Sequence, residues 1–389
     1  MDIKLAKRVA ELPPYLFAEI DRAKSAERAK GVDVIDLGVG DPDMPTFGNI
    51  VAKLQEAAAN PGYHKYPSYQ GLAVFREAVA NWYASRFNVQ LDPATEVVNL
   101  IGSKEGISHI SLAFTDPGDI NLMPDPAYPV YNIGTLFAGG RSYFMPLLEK
   151  NGYLPDYELI PDDVAENSKL MFLNYPNNPT AALADHAFFD RTVAYAKKHN
   201  IIVCHDAAYT ELYFGDNKPI SFMEVDGAKD VGIEFHSLSK TYNMCGWRVA
   251  FCVGNKDVIA GLGKIKSNID SGQFEALQIA GIEALEGDQT QLDGLRDIYR
   301  RRRDVLVEGL RSAGIKVSSP DASLYVWFPV PAGRSSAEFA TDFLQKAGVV
   351  ATPGTGFGDH GEGYVRMTLC LPEERLLEAV ERMKTAGLV

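Results

Sequence analysis

The stretch Ser237-Leu238-Ser239-Lys240-Thr241-Tyr242-Asn243-Met244-Cys245-Gly246-Trp247-Arg248 decides how the rest of the chain is read. A lysine that acts as an amine nucleophile must shed its proton, and Lys240 lies between the apolar run 231–235 and an aromatic-rich turn that would desolvate it. The sequence therefore predicts a neutral amine at Lys240. Hydroxyls at Ser237, Ser239 and Thr241 and the cation of Arg248 surround it along the chain, a set suited to a phosphate that needs donors and positive charge. A solvated lysine in a Ser/Thr-rich loop fits this stretch about as well, so the context has to decide.

That context lies upstream. Ile201-Ile202-Val203-Cys204 is a short apolar run that reads as a buried parallel strand, and His205-Asp206-Ala207-Ala208-Tyr209 follows it. Asp206 and Tyr209 then emerge at the strand's carboxyl end, where α/β sheets build their ligand sites. Residues 169–173 form a second such strand. It delivers Asn174-Tyr175-Pro176-Asn177-Asn178-Pro179-Thr180, whose two prolines force a non-helical turn. Further strands are expected over 96–101, 120–123, 232–236 and 248–253, with helices between them, among them 103–114 and 185–200. This alternation implies an α/β fold with a mostly parallel sheet covered on both faces. Later the pattern changes. Strands over 315–318, 324–329 and 364–369 mix with helices over 336–347 and 373–386, a smaller α+β unit.

With 389 residues and 46% hydrophobic content, the chain exceeds one compact domain of usual size. A net charge of −13 argues against binding to nucleic acid or to anionic membranes, both of which need basic surface. Cys204, Cys245, Cys252 and Cys370 are scattered without a CxxC pair, so neither a metal site nor a disulfide framework is expected, and a reduced cytoplasmic setting fits. No signal peptide or apolar run of membrane-spanning length is visible. The basic run Arg300-Arg301-Arg302-Arg303 sits in a predicted helix over 290–313, where its members point in different directions and suit a solvated or salt-bridged face.

Four other places carry candidate chemistry. Gly38-Val39-Gly40-Asp41-Pro42-Asp43 is a glycine turn after a short strand, and Gly40 would let a ligand carboxylate approach the backbone. Gly102-Ser103-Lys104-Glu105-Gly106 joins a strand to a helix and leaves amides free for a phosphate, without a full dinucleotide or Walker pattern. Pro124-Asp125-Pro126-Ala127-Tyr128-Pro129 is stiffened by three prolines and presents Tyr128 in a fixed orientation. Arg366 lies within an apolar strand, which is costly without an anionic partner, so it is a candidate for bidentate capture of a carboxylate.

Taken in order, these motifs resemble the pyridoxal-phosphate aminotransferases of class I/II, fold type I, in the aspartate aminotransferase superfamily. Within it the chain most resembles the LL-diaminopimelate aminotransferases, through Pro14-Tyr15-Leu16-Phe17, Tyr66-Pro67-Ser68-Tyr69-Gln70-Gly71, 125–131 and 237–247. The resemblance implies pyridoxal 5'-phosphate as cofactor, with Lys240 as its covalent attachment and proton shuttle, Asp206 at the pyridine nitrogen, and Asn178 and Tyr209 at the phenolic oxygen. Tyr128 would stack on the ring. Ser103, Lys104, Ser237, Ser239 and Arg248 would hold the phosphate, joined by Tyr66 from the second subunit of a homodimer. Arg366, Gly40 and Asn178 would take the substrate's α-carboxylate, with Tyr15, Lys104 and Tyr128 as further substrate contacts. The implied domains are an arm and part of a small domain over 1–45, a large cofactor domain over 46–286 and a small domain over 287–389.

The implied reaction is ping-pong transfer of an amino group between LL-2,6-diaminopimelate and 2-oxoglutarate, a step of lysine biosynthesis. Two departures stand out: Tyr69 sits where some members carry a glutamate that reads the distal ammonium, and Cys245 replaces a more usual threonine. An alanine, aspartate or aromatic aminotransferase, or a C–S lyase, would use the same lysine with a different pocket. A non-enzymatic regulator would need an attached basic DNA-binding domain, and about thirty residues precede the first predicted strand.

Overall fold

The computed structural model describes residues 1–10, 12 and 16–388. Twelve strands occur in the described residues: β1 (Ile35–Asp36), β2 (Val97–Leu100), β3 (Ile120–Asp125), β4 (Arg141–Pro146), β5 (Ser168–Asn174), β6 (Ile202–Asp206), β7 (Gly232–Ser237), β8 (Ala250–Gly254), β9 (Tyr325–Pro329), β10 (Val349–Val350), β11 (Thr352–Pro353) and β12 (Tyr364–Thr368). Seven of them form one sheet in the order β2-β8-β7-β6-β5-β3-β4. Its pairs are parallel except that β8 runs against both β7 and β2.

Apolar side chains on both faces make this sheet the middle layer. Along β5, Leu170 and Phe172 join one core cluster and Met171 and Leu173 the other, as the two-residue period of a strand requires. Helices Ser103–Phe114, Val130–Ala138 and Lys256–Ile269 cover the first face, through Ile107, Ile110, Val130, Tyr131, Val258, Ile259 and Leu262. Helices Ala73–Phe87, His186–His199 and Glu275–Glu286 cover the second, through Phe75, Val79, Trp82, Phe188, Phe189 and Ala284. The predicted mostly parallel α/β sheet is therefore present. At its carboxyl edge Asn174, Asp206 and Ser237 close β5, β6 and β7, with Asn174 in register with Asp206.

A second, antiparallel sheet has the order β11-β12-β9, and β1 pairs in parallel with β10. It carries Arg366 in the middle of β12, opposite Trp327 and Thr352. Two expectations fail nearby. Residues 315–318 form no strand, because the Val317 carbonyl accepts from the Arg311 side chain and Ile315 N–H closes the preceding helix on Leu310. Strand β8 begins at Ala250 rather than at Arg248, whose backbone takes a left-handed turn with φ 59°. The arginine run divides as expected for a helix. Arg300 and Arg301 pair with Asp297 on the surface, while Arg302 turns inward to a bidentate pair with Asp43.

Beneath the carboxyl edge, Glu234 is fully buried on β7. It accepts from Tyr83 Oη (2.6 Å), Ser221 Oγ (2.6 Å), His236 Nε2 (2.9 Å), His205 Nδ1 (2.7 Å) and the Phe222 amide (2.8 Å). His205 Nε2 in turn accepts from the Tyr175 amide at 3.2 Å, which ties the proline-rich turn to this carboxylate. Burial alone would raise the Glu234 pKa, but the hydrogen bonds from His205 and His236 hold it well below the usual carboxylate range. A depressed folded-state pKa gives stability that is present above the unfolded value of about 4.3 and lost as pH falls through the folded one. A Glu234→Gln chain puts an amide N–H₂ against donors that had an acceptor. We expect its unfolding free energy to fall by about 3 kcal/mol in urea titrations at pH 7. A loss within experimental error would show that this network does not hold the sheet.

Candidate active site

Three strand ends and the turn after β7 surround a cavity of about 470 Å³ at the carboxyl edge of the large sheet. Its lining includes Ser103, Lys104, Tyr128, Asn178, Asp206, Tyr209, Ser237, Ser239, Lys240 and Arg248, together with Gly40 and Arg366. Every predicted site residue is thus brought to one place except two. Tyr15 lies outside the described residues, and Tyr66 lies outside the cavity with its side chain 90% exposed.

Asp206 ends β6, and the apolar strand that delivers it also buries it. Its Oδ2 accepts from the Tyr131 hydroxyl at 2.9 Å, while Oδ1 has no hydrogen-bond partner among the described residues. Burial pushes its pKa up, with the Tyr131 bond pulling the other way. A buried carboxylate oxygen left without a donor in a cavity wall calls for a donor from a ligand. Asn174 holds the neighbouring turn, donating to the Asp206 carbonyl and accepting from the Asn178 amide, both at 2.7 Å.

Lys240 follows Ser237, which caps the short helix Leu238–Thr241 by accepting from the Ser239 amide. Its Nζ donates to the Gly40 carbonyl at 2.6 Å and lies 3.5 Å from Cys245 Sγ. The predicted neutral amine is not what this setting favours. Burial does lower the Lys240 pKa, but Tyr325, Cys245, Cys370 and Asp41 outweigh it and the net direction is up. Sequence shows the apolar neighbours of a lysine and hides the acid that the fold brings to it.

The two arginines sit in opposite settings. Arg248 is exposed, with Nη1 donating to the Cys245 carbonyl at 2.8 Å and 3.4 Å from Ser239 Oγ. Gly102 stands beside it with φ +101°, a backbone conformation that favours glycine. Arg366 is 1% exposed; Nη1 donates to Asn178 Oδ1 at 2.7 Å and Nη2 to the Gly38 carbonyl, while Nε has no partner among the described residues. The rings of Tyr325 and Phe357 lie 4.2 and 4.6 Å from its guanidinium carbon.

Three contributors were not assigned from sequence. Tyr131 lies one helical turn after Tyr128, a spacing that could have suggested a shared face. Tyr325 bonds Tyr209 hydroxyl to hydroxyl at 2.8 Å from the other sheet, and no sequence signal joins the two. It also explains Gly40: a Cβ there would sit 2.3 Å from the Tyr325 hydroxyl, so packing, as well as any ligand, requires glycine. Asp41 also lines the cavity.

The family model for "aminotransferase class I and II" matches residues 32–383. The chain belongs to the class I and II aminotransferases. Among curated relatives, this aminotransferase is 58% identical to the LL-diaminopimelate aminotransferase of Syntrophobacter fumaroxidans, over 97% of the chain and 98% of the relative. It is 55% identical to that of Aquifex aeolicus, over 99% and 100%. Among solved structures, substrate-bound BacF from Bacillus subtilis superposes with a TM-score of 0.96 at 40% identity, covering 99% of this chain and 98% of that one. A Thermus thermophilus aspartate aminotransferase mutant does so with 0.92 at 28%, over the whole of both chains. The resemblance read from the motifs named this family.

The raised Lys240 pKa has a measurable sign. In the cofactor-free protein, trapping of a simple aldehyde on Lys240 by borohydride should climb roughly tenfold per pH unit below the pKa and still be climbing at pH 9.5. Peptide mass spectrometry reads the yield. A plateau near pH 8 would mean the amine is already neutral there.

Proposed function

We propose that this aminotransferase uses pyridoxal 5'-phosphate to exchange an amino group between LL-2,6-diaminopimelate and 2-oxoglutarate, as a cytoplasmic homodimer. The observation that carries the reading is the partnerless Oδ1 of Asp206 in the same cavity as the Lys240 amine. That oxygen suits a protonated ring nitrogen, the hydroxyls of Ser103, Ser237 and Ser239 with Arg248 suit a phosphate, and Lys240 supplies the amine for covalent attachment. The relatives at 55–58% identity, whose names specify LL-diaminopimelate, support the substrate.

When bound, the cofactor supplies an electron sink for the bond broken at the substrate Cα. The chain's residues do the rest. Asp206 holds the ring nitrogen's proton, and the Tyr131 hydroxyl keeps its carboxylate oriented. Tyr128 would lie against the ring, and Asn178 and Tyr209 would meet its phenolic oxygen. Lys240 Nζ, freed once the substrate's amine takes its place, would accept the substrate Cα proton and return it on the cofactor side. Arg366 binds the α-carboxylate, the group common to both substrates, together with Asn178 and the Gly40 backbone. Lys104 stands within the cavity for either phosphate or carboxylate.

Tyr66 is assigned to the phosphate of the partner subunit's site, a role its exposure of 90% leaves it available for. Residues 46–286 are assigned to the large domain and 1–45 with 287–389 to the arm and small domain. No helix among the described residues is long and apolar enough to cross a membrane.

Purified protein given LL-2,6-diaminopimelate and 2-oxoglutarate should form glutamate, and Lys240→Ala should lower the rate by about a thousandfold or more. Release of ammonia or sulfide in place of glutamate would reject aminotransfer. Glutamate formed with other amino acids and not with diaminopimelate would reject the substrate alone.

A further inference from the structure

We propose that Asp125 is a positioning residue for substrate binding: it clasps the segment 354–361 and thereby holds the Phe357 ring against the Arg366 guanidinium. This rests on the reading of Arg366 as the carboxylate site.

Asp125 is the last residue of β3, and its carboxylate is 5% exposed. A carboxylate that deep must find donors. Among the described residues its donors come from one place: His360 Nδ1 at 2.8 Å and the His360 amide at 3.3 Å. Gly358, with φ +134°, lies flat against the same group, and a Cβ there would sit 1.9 Å from Asp125 Oδ1. Two residues along, the Ala127 amide donates to the Phe357 carbonyl at 2.8 Å. Residues 357, 358 and 360 therefore all dock on the turn 125–127, which continues into Tyr128.

The segment is built to reach that turn as a compact piece. It consists of the short 3₁₀ turns Gly354–Phe357 and Asp359–Gly361, with the backbones of Gly354 and Gly361 in direct contact. What it delivers is Phe357, 5% exposed, with its ring 4.6 Å from the Arg366 guanidinium carbon. Tyr325 covers the cation at 4.2 Å. A guanidinium flanked by rings is shielded from water and fixed in plane, so little rotamer freedom remains to be lost when a carboxylate binds. Without the clasp, Phe357 leaves, and Arg366 regains water that each substrate must displace. The penalty falls on the α-carboxylate, so both substrates carry it equally.

The test uses holoenzyme and glutarate, a dicarboxylate that has no amine to react, with its Kd read from the cofactor's visible absorbance. Arg366→Lys is measured first. If it leaves glutarate affinity intact, the carboxylate reading fails and the proposal goes with it. If affinity falls, Asp125→Ala should weaken glutarate about tenfold, roughly 1.4 kcal/mol, and the more exposed His360→Ala about threefold. KM for the amino acid and for the oxo acid should rise by those same factors, with kcat within about twofold and cofactor affinity unchanged. Amide exchange across 354–361 should quicken while β5 to β7 stay protected. Should Asp125→Ala fail to fold, His360→Ala carries the same comparison alone. Unchanged KM alongside faster exchange would overturn the clasp, as would a fall in kcat with no change in KM.

Discussion

Asp206 ends a strand whose apolar neighbours bury it, and much of the site is arranged around keeping a carboxylate in that position. Burial opposes its charge, and Tyr131 satisfies one oxygen only. The other oxygen is an acceptor in a cavity wall. The sheet can tolerate this because the layer beneath is fully satisfied: Glu234 takes five donors, and through His205 it also fixes the amide of Tyr175. One buried carboxylate is saturated and structural. Its neighbour one strand over is left short of a donor, which is where a ligand can contribute.

Legibility in the sequence followed the range of the interactions. Lys240, Asp206, Asn178 and Ser103 were readable because each stands just past an apolar run, and strand ends in a parallel sheet converge on one edge. The expected helix 336–347 is present, and in the structure Ser335 and Glu338 form a capping box at its start. Arg248 was misread into β8 because the apolar pattern starts next to it, and a left-handed turn at a non-glycine residue leaves no trace in hydropathy. Residues 315–318 look like a strand in composition, yet their carbonyl is taken by a helix side chain. The missed edge strand β4 is largely outside the core, so its pattern is weak.

The upward pKa of Lys240, against the sequence expectation, has the same origin. Its apolar neighbours are close in sequence, whereas Asp41 and Tyr325 arrive from residues about 200 before and 85 after it. Desolvation is a local expectation and Coulomb energy is a tertiary one, so a sequence reading overweights the first. Tyr325 illustrates how much one such arrival can decide. It bonds Tyr209, covers Arg366 and excludes any side chain at position 40.

The contrast between the arginines follows from what each has to do on the proposed reading. Arg248 is exposed and stands in a loop whose geometry depends on a glycine at 102; a phosphate that stays bound supplies its own order to such a place. Arg366 meets a different carboxylate in each half of a ping-pong cycle, so any disorder in it would be paid for twice per turnover. Rings on the guanidinium, two anchored nitrogens and complete burial remove that disorder in advance. Burial also lowers its pKa, yet a guanidinium starts so far above neutrality that it keeps its proton, which a lysine in the same place would not. Arginine is thus the residue that can be both desolvated and charged there, and the strand interior that made it look costly in the sequence is what makes it a good receptor.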